Sequence, residues 1–406
     1  MKLYDKDGIG ISALDMNYGQ EVSSNTIKHA TSRTLNFNLN GIDSLNFSIY
    51  LDDPMALQIK RLRTFIKVWR SVYDDSGATI YSDPSDEPIF AGVVGGTLKS
   101  GQENLMSINC YSPLWRLQSR FHILNHYLKT NTDTDEEYTQ SELMWKLIDL
   151  VNNAFGLANS DTGITQGTFS SGNDPTVAPF FVAKGSNTWT NIFEEIMNRA
   201  GGVDIIPVYK HTDASSELME FHTDEKRGDD ISATMDFRYH TGTDDNLDGC
   251  SEEESPNPGE FANYLWAVGA GGPNSGKVAL EENIDDDEDG YENIGIYMRR
   301  ADFPDIKLIG SAGPPKTHLR AIAEAEFAQS RVPKTNYEVT VSPAGGVYYK
   351  SDFQLGDVVM LNANKGALFV EDKKQRIYET SLSISDNNVE TVSLLLADDF
   401  TGKVAV

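Results

Sequence analysis

Cysteine is scarce in this sequence: of 406 residues only Cys110 and Cys250 carry a thiol. Two isolated cysteines exclude a disulfide framework and a cysteine-rich zinc site. Cys110, inside the alternating stretch LMSINCY, reads as a buried side chain. Basic residues are also few. Lys and Arg total 34 against 61 Asp and Glu, a formal net charge of −27, which excludes sequence-independent attraction to nucleic acid or to an anionic membrane. A polyanion that only has to slide past is compatible with such a charge. No apolar run approaches the roughly 18 residues of a membrane-spanning helix. The start, MKLYDKDGIGISALDMN, lacks the apolar segment of a secretory signal, so synthesis and assembly in a cytoplasm are expected. There is no G-x-S-x-G elbow and no Cys/His pair with catalytic flanks, and carboxylates are too abundant for any one glycosidase-like pair to stand out.

What is present is a globular, strand-rich chain long enough for two to four packed units, with 39% apolar residues. From residue 34 the stretches TLNFNLN, SLNFSIYL, TFIKVWRSVY, PIFAGVVGGTLKS and NLMSINCYS alternate with the period of strands. The pattern then changes. TQSELMWKLIDLVNNAFG sets Leu143, Leu147, Leu150 and Val151 on one helical face, with Thr139 and Glu142 as a capping box and Gly156 beyond the end. NTWTNIFEEIMNRAGG repeats the device with Ile192, Phe193, Ile196 and Met197, and Gly201 as the stop. VDIIPVYK and ELMEFHT read as paired strands, residues 228–260 as exposed connection, and THLRAIAEAEFAQSR as a third helix. Strands return in NYEVTVSP, FQLGDVVMLN, RIYETSLSIS and VETVSLLLA.

Several stretches approach a chemical motif and fall short. GGPNSGKV has Gly271, Gly276 and Lys277 at phosphate-loop spacing, but Val278 replaces the magnesium-binding hydroxyl, and residues 281–292 carry eight carboxylates that repel a triphosphate. A glycine-rich turn between strands is the better reading. Asp285, Asp287, Asp289 and Gly290 match the first half of an EF-hand loop, yet Ile296 stands where the bidentate glutamate belongs. These three aspartates are the single candidate cation loop, set against a solvated hairpin tip. His122 and His126 have the spacing of two ligands on a helix but lack a zincin glutamate, which favours packing or surface roles. No cofactor and no catalytic residue is expected.

The two strand-rich ends repeat a pattern. TFIKVW, a loop, then IFAGVVGGTLKSGQENLMSINC lies beside GDVVML, a loop, then RIYETSLSISDNNVETVSLLL, in each case a strand followed by a two-strand hairpin. The order of LNFNLNGIDSLNFSIYL, IFAGVVGGTL leading to CYSPLWRLQSR, NYLWAVGAGGPNSG, IGIYMRRADFPD, AIAEAEFAQSR and FQLGDVVMLN with RIYETSLSIS resembles the tail-tip and baseplate hub proteins of tailed phages, with Asn263 and Arg299 at positions common in that family. The resemblance implies an α+β, β-dominated multidomain fold with two tail-tube-like β-barrels and helical or mixed inserted domains. It divides the chain into a first barrel at 1–120, a helical domain at 121–202, a discontinuous second barrel at 203–223 plus 331–406, and an inserted domain at 224–330. It also implies a virion protein at the tail tip, a homotrimer that joins a sixfold tail tube to a threefold fibre or spike and closes or opens the DNA channel. The implied neighbours are distal tail and tail tube proteins, a tape measure protein, and fibre or spike proteins, with DNA only in passage. The alternatives are a receptor- or glycan-binding tail component, for which Trp189, Trp266, Tyr291 and Tyr297 are the available aromatics, and a tail-associated wall hydrolase.

Overall fold

A computed structural model describes most of residues 27–118, 138–153, 162–169, 202–254, 264–270, 277–281, 298–307 and 335–398, short strands at 2–4, 13–15, 20–22, 126–128 and 180–182, and scattered residues between them. The N-terminal part forms β1 (Thr31–Asn38), β2 (Ser44–Tyr50), β3 (Phe65–Val68), β4 (Phe90–Ser100) and β5 (Leu105–Tyr111). Their period-2 pattern decides which face is buried: Leu45, Phe47 and Ile49 of β2 and Met106, Ile108 and Cys110 of β5 lie in the core, while the intervening asparagines and serines face outward. Between the ends lie β6 (Asp204–Tyr209), β7 (Met219–Asp224), β8 (Asp236–Tyr239) and β9 (Leu247–Glu254). The C-terminal strands are β10 (Thr335–Val341), β11 (Val358–Lys365), β12 (Leu368–Ile384) and β13 (Glu390–Ala397).

The duplication read from the sequence is present, and it is larger than the sequence showed. The first repeat pairs in the order β3-β4-β5-β2-β1, and the second in the order β11-β12-β13-β10-β9, all antiparallel. Each strand of the second repeat therefore takes the place of the strand eight numbers lower in the first. Even the irregularities match. The β4–β5 ladder shifts register at Gly95 and the β12–β13 ladder shifts at Tyr378, so Val94 corresponds to Ile377. Both of these residues bind the chain just ahead of the third strand: Val94 N–H donates to Thr64 at 3.0 Å and Ile377 N–H to Asp357 at 2.9 Å.

The two repeats do not close separately into barrels. Among the described residues they lie side by side in one open sheet of 12 strands, joined where β12 pairs with β1. The reason is the length of β12. Its first half pairs with β11, and Glu379–Ile384 continue beyond β11 to reach β1.

Two assignments change in the middle of the chain. Residues 228–260 are not all connection: β8 pairs in parallel with β11, and β9 pairs with β10. The glycine and run of acids in β9 hid a strand at a sheet edge, where one side faces solvent and polar residues are tolerated. Residues 203–223, expected in the second barrel, instead form β6 and β7, which pair with each other and with Ile164–Gln166 in a separate three-stranded sheet. The helix at Gln140–Asn152 has the expected capping box, with Thr139 Oγ1 accepting from Glu142 N–H and the Glu142 carboxylate accepting from Thr139 N–H. Its Leu143, Leu147 and Val151 are buried, as are the helical Phe193, Ile196 and Met197. The third expected helix and Gly156, Ile192 and Gly201 lie outside the described residues. No helix among the described residues is long and apolar enough to cross a membrane.

Candidate functional site

The place where the repeats meet gathers buried charges and a polar cavity. Along the β1–β12 seam Leu35 pairs with Leu382, and both are buried. Leu39 N–H donates to Tyr378 at 2.8 Å, and Ser381 Oγ donates to Asn36 Oδ1 at 2.8 Å. Phe37 stacks on Tyr349 with ring centroids 5.9 Å apart. The seam is therefore a continuous ladder with an apolar face and a polar face, in the same way as a pairing inside either repeat.

Behind the seam, on the core side, charges are buried in pairs. Arg376 donates to the Asp204 carboxylate, and both side chains are fully excluded from solvent. Asp204 also accepts from Asn40 Nδ2 at 2.7 Å and from Arg227 N–H at 2.8 Å, and Asn40 in turn accepts from Ile205 N–H. Arg376 Nε donates to Gly356 at 3.0 Å. One ion pair thus ties the second repeat to β6 and to the loop after β1. Arg70, just after β3, grips Glu390 of β13 with two nitrogens and donates to the Tyr349 carbonyl at 2.9 Å. Such a bidentate clamp fixes orientation as well as distance.

A polar cavity of about 250 Å³ lies beside these pairs, lined among others by Asp43, Asp83, Tyr209, Arg227, Tyr349 and Lys350. Asp43 accepts from Tyr209 Oη. Burial raises the Asp43 carboxyl above its ordinary range, and burial together with the adjacent carboxylate raises the Tyr209 phenol. Lys350 is pushed down to about 8, first by burial and then by Arg227. These are groups of both signs gathered in one buried junction.

The opposite face of the sheet is different. Asn36 and Asn38 of β1, Ser381 of β12, Ser393 of β13 and Glu338 of β10 line a trough of about 430 Å³ that crosses the seam. Among the described residues lining it there is no lysine or arginine. Glu379 lies in it, its carboxyl raised by partial burial and then by the charge of Glu338. The trough offers hydrogen bonds and negative charge, and its described lining presents no cation to a phosphate backbone.

The residues singled out by sequence lie elsewhere. Asp285, Asp287, Asp289 and Gly290 are outside the described residues, as are Gly271, Gly276, His122, Asn263, Trp189, Tyr291 and Tyr297. Lys277 and Val278 start the strand Lys277–Glu281, which pairs antiparallel with Tyr264–Ala270. The glycine-rich segment therefore joins two strands and lacks the helix that a phosphate loop needs. His126 opens the strand His126–Leu128 and is not helical, while His122 lies outside the described residues. Trp266 is half-buried in its strand, and Arg299 lies in the strand Met298–Lys307. Cys110 is fully buried and its thiol is raised by burial. Sequence reading missed the Arg376–Asp204 pair, because nothing in a linear order marks two charges 172 positions apart as partners.

No protein-family model matches the sequence, and no curated protein matches it. Similarity appears in the fold. The tail protein of Neisseria meningitidis MC58 superposes with a TM-score of 0.57 at 12% identity, over 99% of this chain and 97% of that one. A chain of the Francisella PdpA–VgrG complex in its half-lidded form superposes with a TM-score of 0.51 at 9% identity, over 100% of this chain and 59% of that one. The prophage tail protein gp18 of Listeria monocytogenes EGD-e gives a TM-score of 0.49 at 11% identity, over 98% and 95% of the two chains. The fold is that of phage tail proteins.

Proposed function

We propose that this chain is the hub of a phage tail tip, a structural component of the virion with no catalytic role. The observation that carries the reading is the duplicated strand order, β3-β4-β5-β2-β1 beside β11-β12-β13-β10-β9, in one sheet. Three copies of a chain with two equivalent repeats present six, so a homotrimeric ring matches a sixfold tail tube on one side and a threefold fibre or spike on the other. The polar trough, with no lysine or arginine among its described lining residues, faces the channel through which DNA leaves. The fold shared with the Neisseria tail protein supports this placement. The remaining partners are a tape measure protein inside the tube and the distal tail proteins around it.

The test is an image of the assembled tail. The reading expects three copies in a ring whose polar trough faces the bore. A chain found only in peripheral fibres, or in a number other than three, overturns it.

A further inference from the structure

We infer that β9 of one chain pairs antiparallel with the outer half of β4 of a second copy, in the register that sets Glu252 opposite Lys99. The inference rests on the ring reading above and assigns the strands that make its joints.

The template is the seam inside the chain. On its outer side β12 is divided: it pairs with β11 up to Arg376, then with β1 from Glu379 to Ile384. β4 is built in the same way but is only half occupied. Phe90–Val93 pair with β3, and among the described residues no strand pairs with Gly96–Ser100 on that side. The equivalent of β1 is β9, which pairs with β10 on one side and, among the described residues, with no strand on the other. Each free edge lacks the partner that the other supplies. β4 and β9 stand at opposite ends of the run β4-β5-β2-β1-β12-β13-β10-β9, so the contact is head to tail and its repetition builds a ring.

The matched bulges fix the register. Gly95 corresponds to Tyr378, which places Leu98 at the position of Ser381 and Lys99 at that of Leu382. In the other strand, Leu35 lies opposite Leu45, which lies opposite Cys110; Glu252 lies opposite Tyr337, which lies opposite Leu396. Cys110 and Leu396 are equivalent, so Glu252 takes the place of Leu35. The pairing of Leu382 with Leu35 becomes Lys99 with Glu252. An apolar pair at the covalent seam is thus replaced by an ion pair at the joint between copies. Charge agrees with this. The β9 edge carries Glu252 and Glu253, while the β4 edge carries Lys99 beside Leu98, an apolar side chain 71% exposed. Glu252 uses one carboxylate oxygen on Tyr337 Oη at 2.9 Å, which leaves the second for Lys99. Two edges of complementary charge, unpaired among the described residues, are a pairing template.

The experiment is disulfide trapping in the assembled protein. Lys99→Cys and Glu252→Cys are introduced together in a Cys250→Ser background, and the chain is oxidised at a concentration where the wild type self-associates or in reconstituted tail tips. The expected result is intermolecular cross-links that close into a covalent ring. Charge reversal supplies a second readout: Lys99→Glu or Glu252→Lys alone weakens self-association about tenfold, the cost of turning an opposed pair into a like-charged one in each joint, and the double reversal restores it. Rings that form without cross-linking and without sensitivity to either reversal overturn the strand assignment and leave the ring reading standing. A chain that forms no ring, in solution or in the tail, overturns both.

Discussion

Arg376 and Asp204 form an ion pair from which solvent is wholly excluded, between β12 of the second repeat and β6 of the separate sheet. Neither charge is stable there without the other. Asp204→Ala leaves a guanidinium buried without a counter-charge, with an expected loss of about 3–5 kcal/mol. Arg376→Met combined with Asp204→Leu removes both charges and recovers a large part of that loss. Urea unfolding of the single and double variants reads the difference; equal losses in both show that the pair matters through packing instead of charge.

Arg70 and Glu390 tie the first repeat to the second. Glu390→Gln keeps the shape and weakens the charge-assisted clamp, while Arg70→Ala also strands the Tyr349 carbonyl. Stability is expected to fall by about 1.5–3 kcal/mol for Arg70→Ala and by less for Glu390→Gln. Thermal unfolding in low and high salt checks this, because a half-buried pair is screened only weakly.

Lys350 gives a signature in pH. Its folded-state value is pushed down to about 8, while an unfolded lysine titrates near 10.5. Between those values the unfolded chain holds a proton that the folded chain has released, so the contribution of this group to stability rises with pH across that window. Lys350→Met is expected to flatten the rise. Chemical denaturation at pH 8, 9 and 10 on both proteins measures it.

Gly356 has φ +94°, and a Cβ there stands 2.3 Å from the Arg227 carbonyl oxygen. Gly356→Ala combines a left-handed backbone with a clash against main chain, at an expected cost of about 1–3 kcal/mol. The affected backbone also receives Arg376 Nε. Hydrogen exchange at Ile377, whose carbonyl accepts from Gly356 N–H, is expected to speed up before global unfolding does.

Glu338 and Glu379 place negative charge in the polar trough. Replacing both with lysine puts cations beside passing phosphates, and DNA release from virions is expected to slow, most strongly at low salt. Unchanged release kinetics would remove the trough from the channel.

Much of the fold was legible because it depends on periodicity. The alternation in SLNFSIY and LMSINCY placed β2 and β5, and the capping box at Thr139 and Glu142 set the start of a helix. The repeat was readable in its third, fourth and fifth strands, where apolar residues recur on a hairpin. It was not readable in β9, where Ser251, Glu252 and Glu253 are exposed and the SEEE run carries no alternation. Candidate sites were chosen by motif, and most fell in stretches outside the described residues or on strands where their spacing has no meaning.

The sequence by itself determined that strands dominate, which side chains of the alternating strands are buried, and that a strand followed by a hairpin recurs at both ends, because a side chain's face depends only on its neighbours in the chain. The tertiary structure alone decided that the copies share one sheet, that Arg376 meets Asp204, and that, among the described residues, β4 and β9 keep unpaired edges. Those are contacts between residues far apart in order, and the free energy of a distant pairing leaves no mark on the local pattern of either strand.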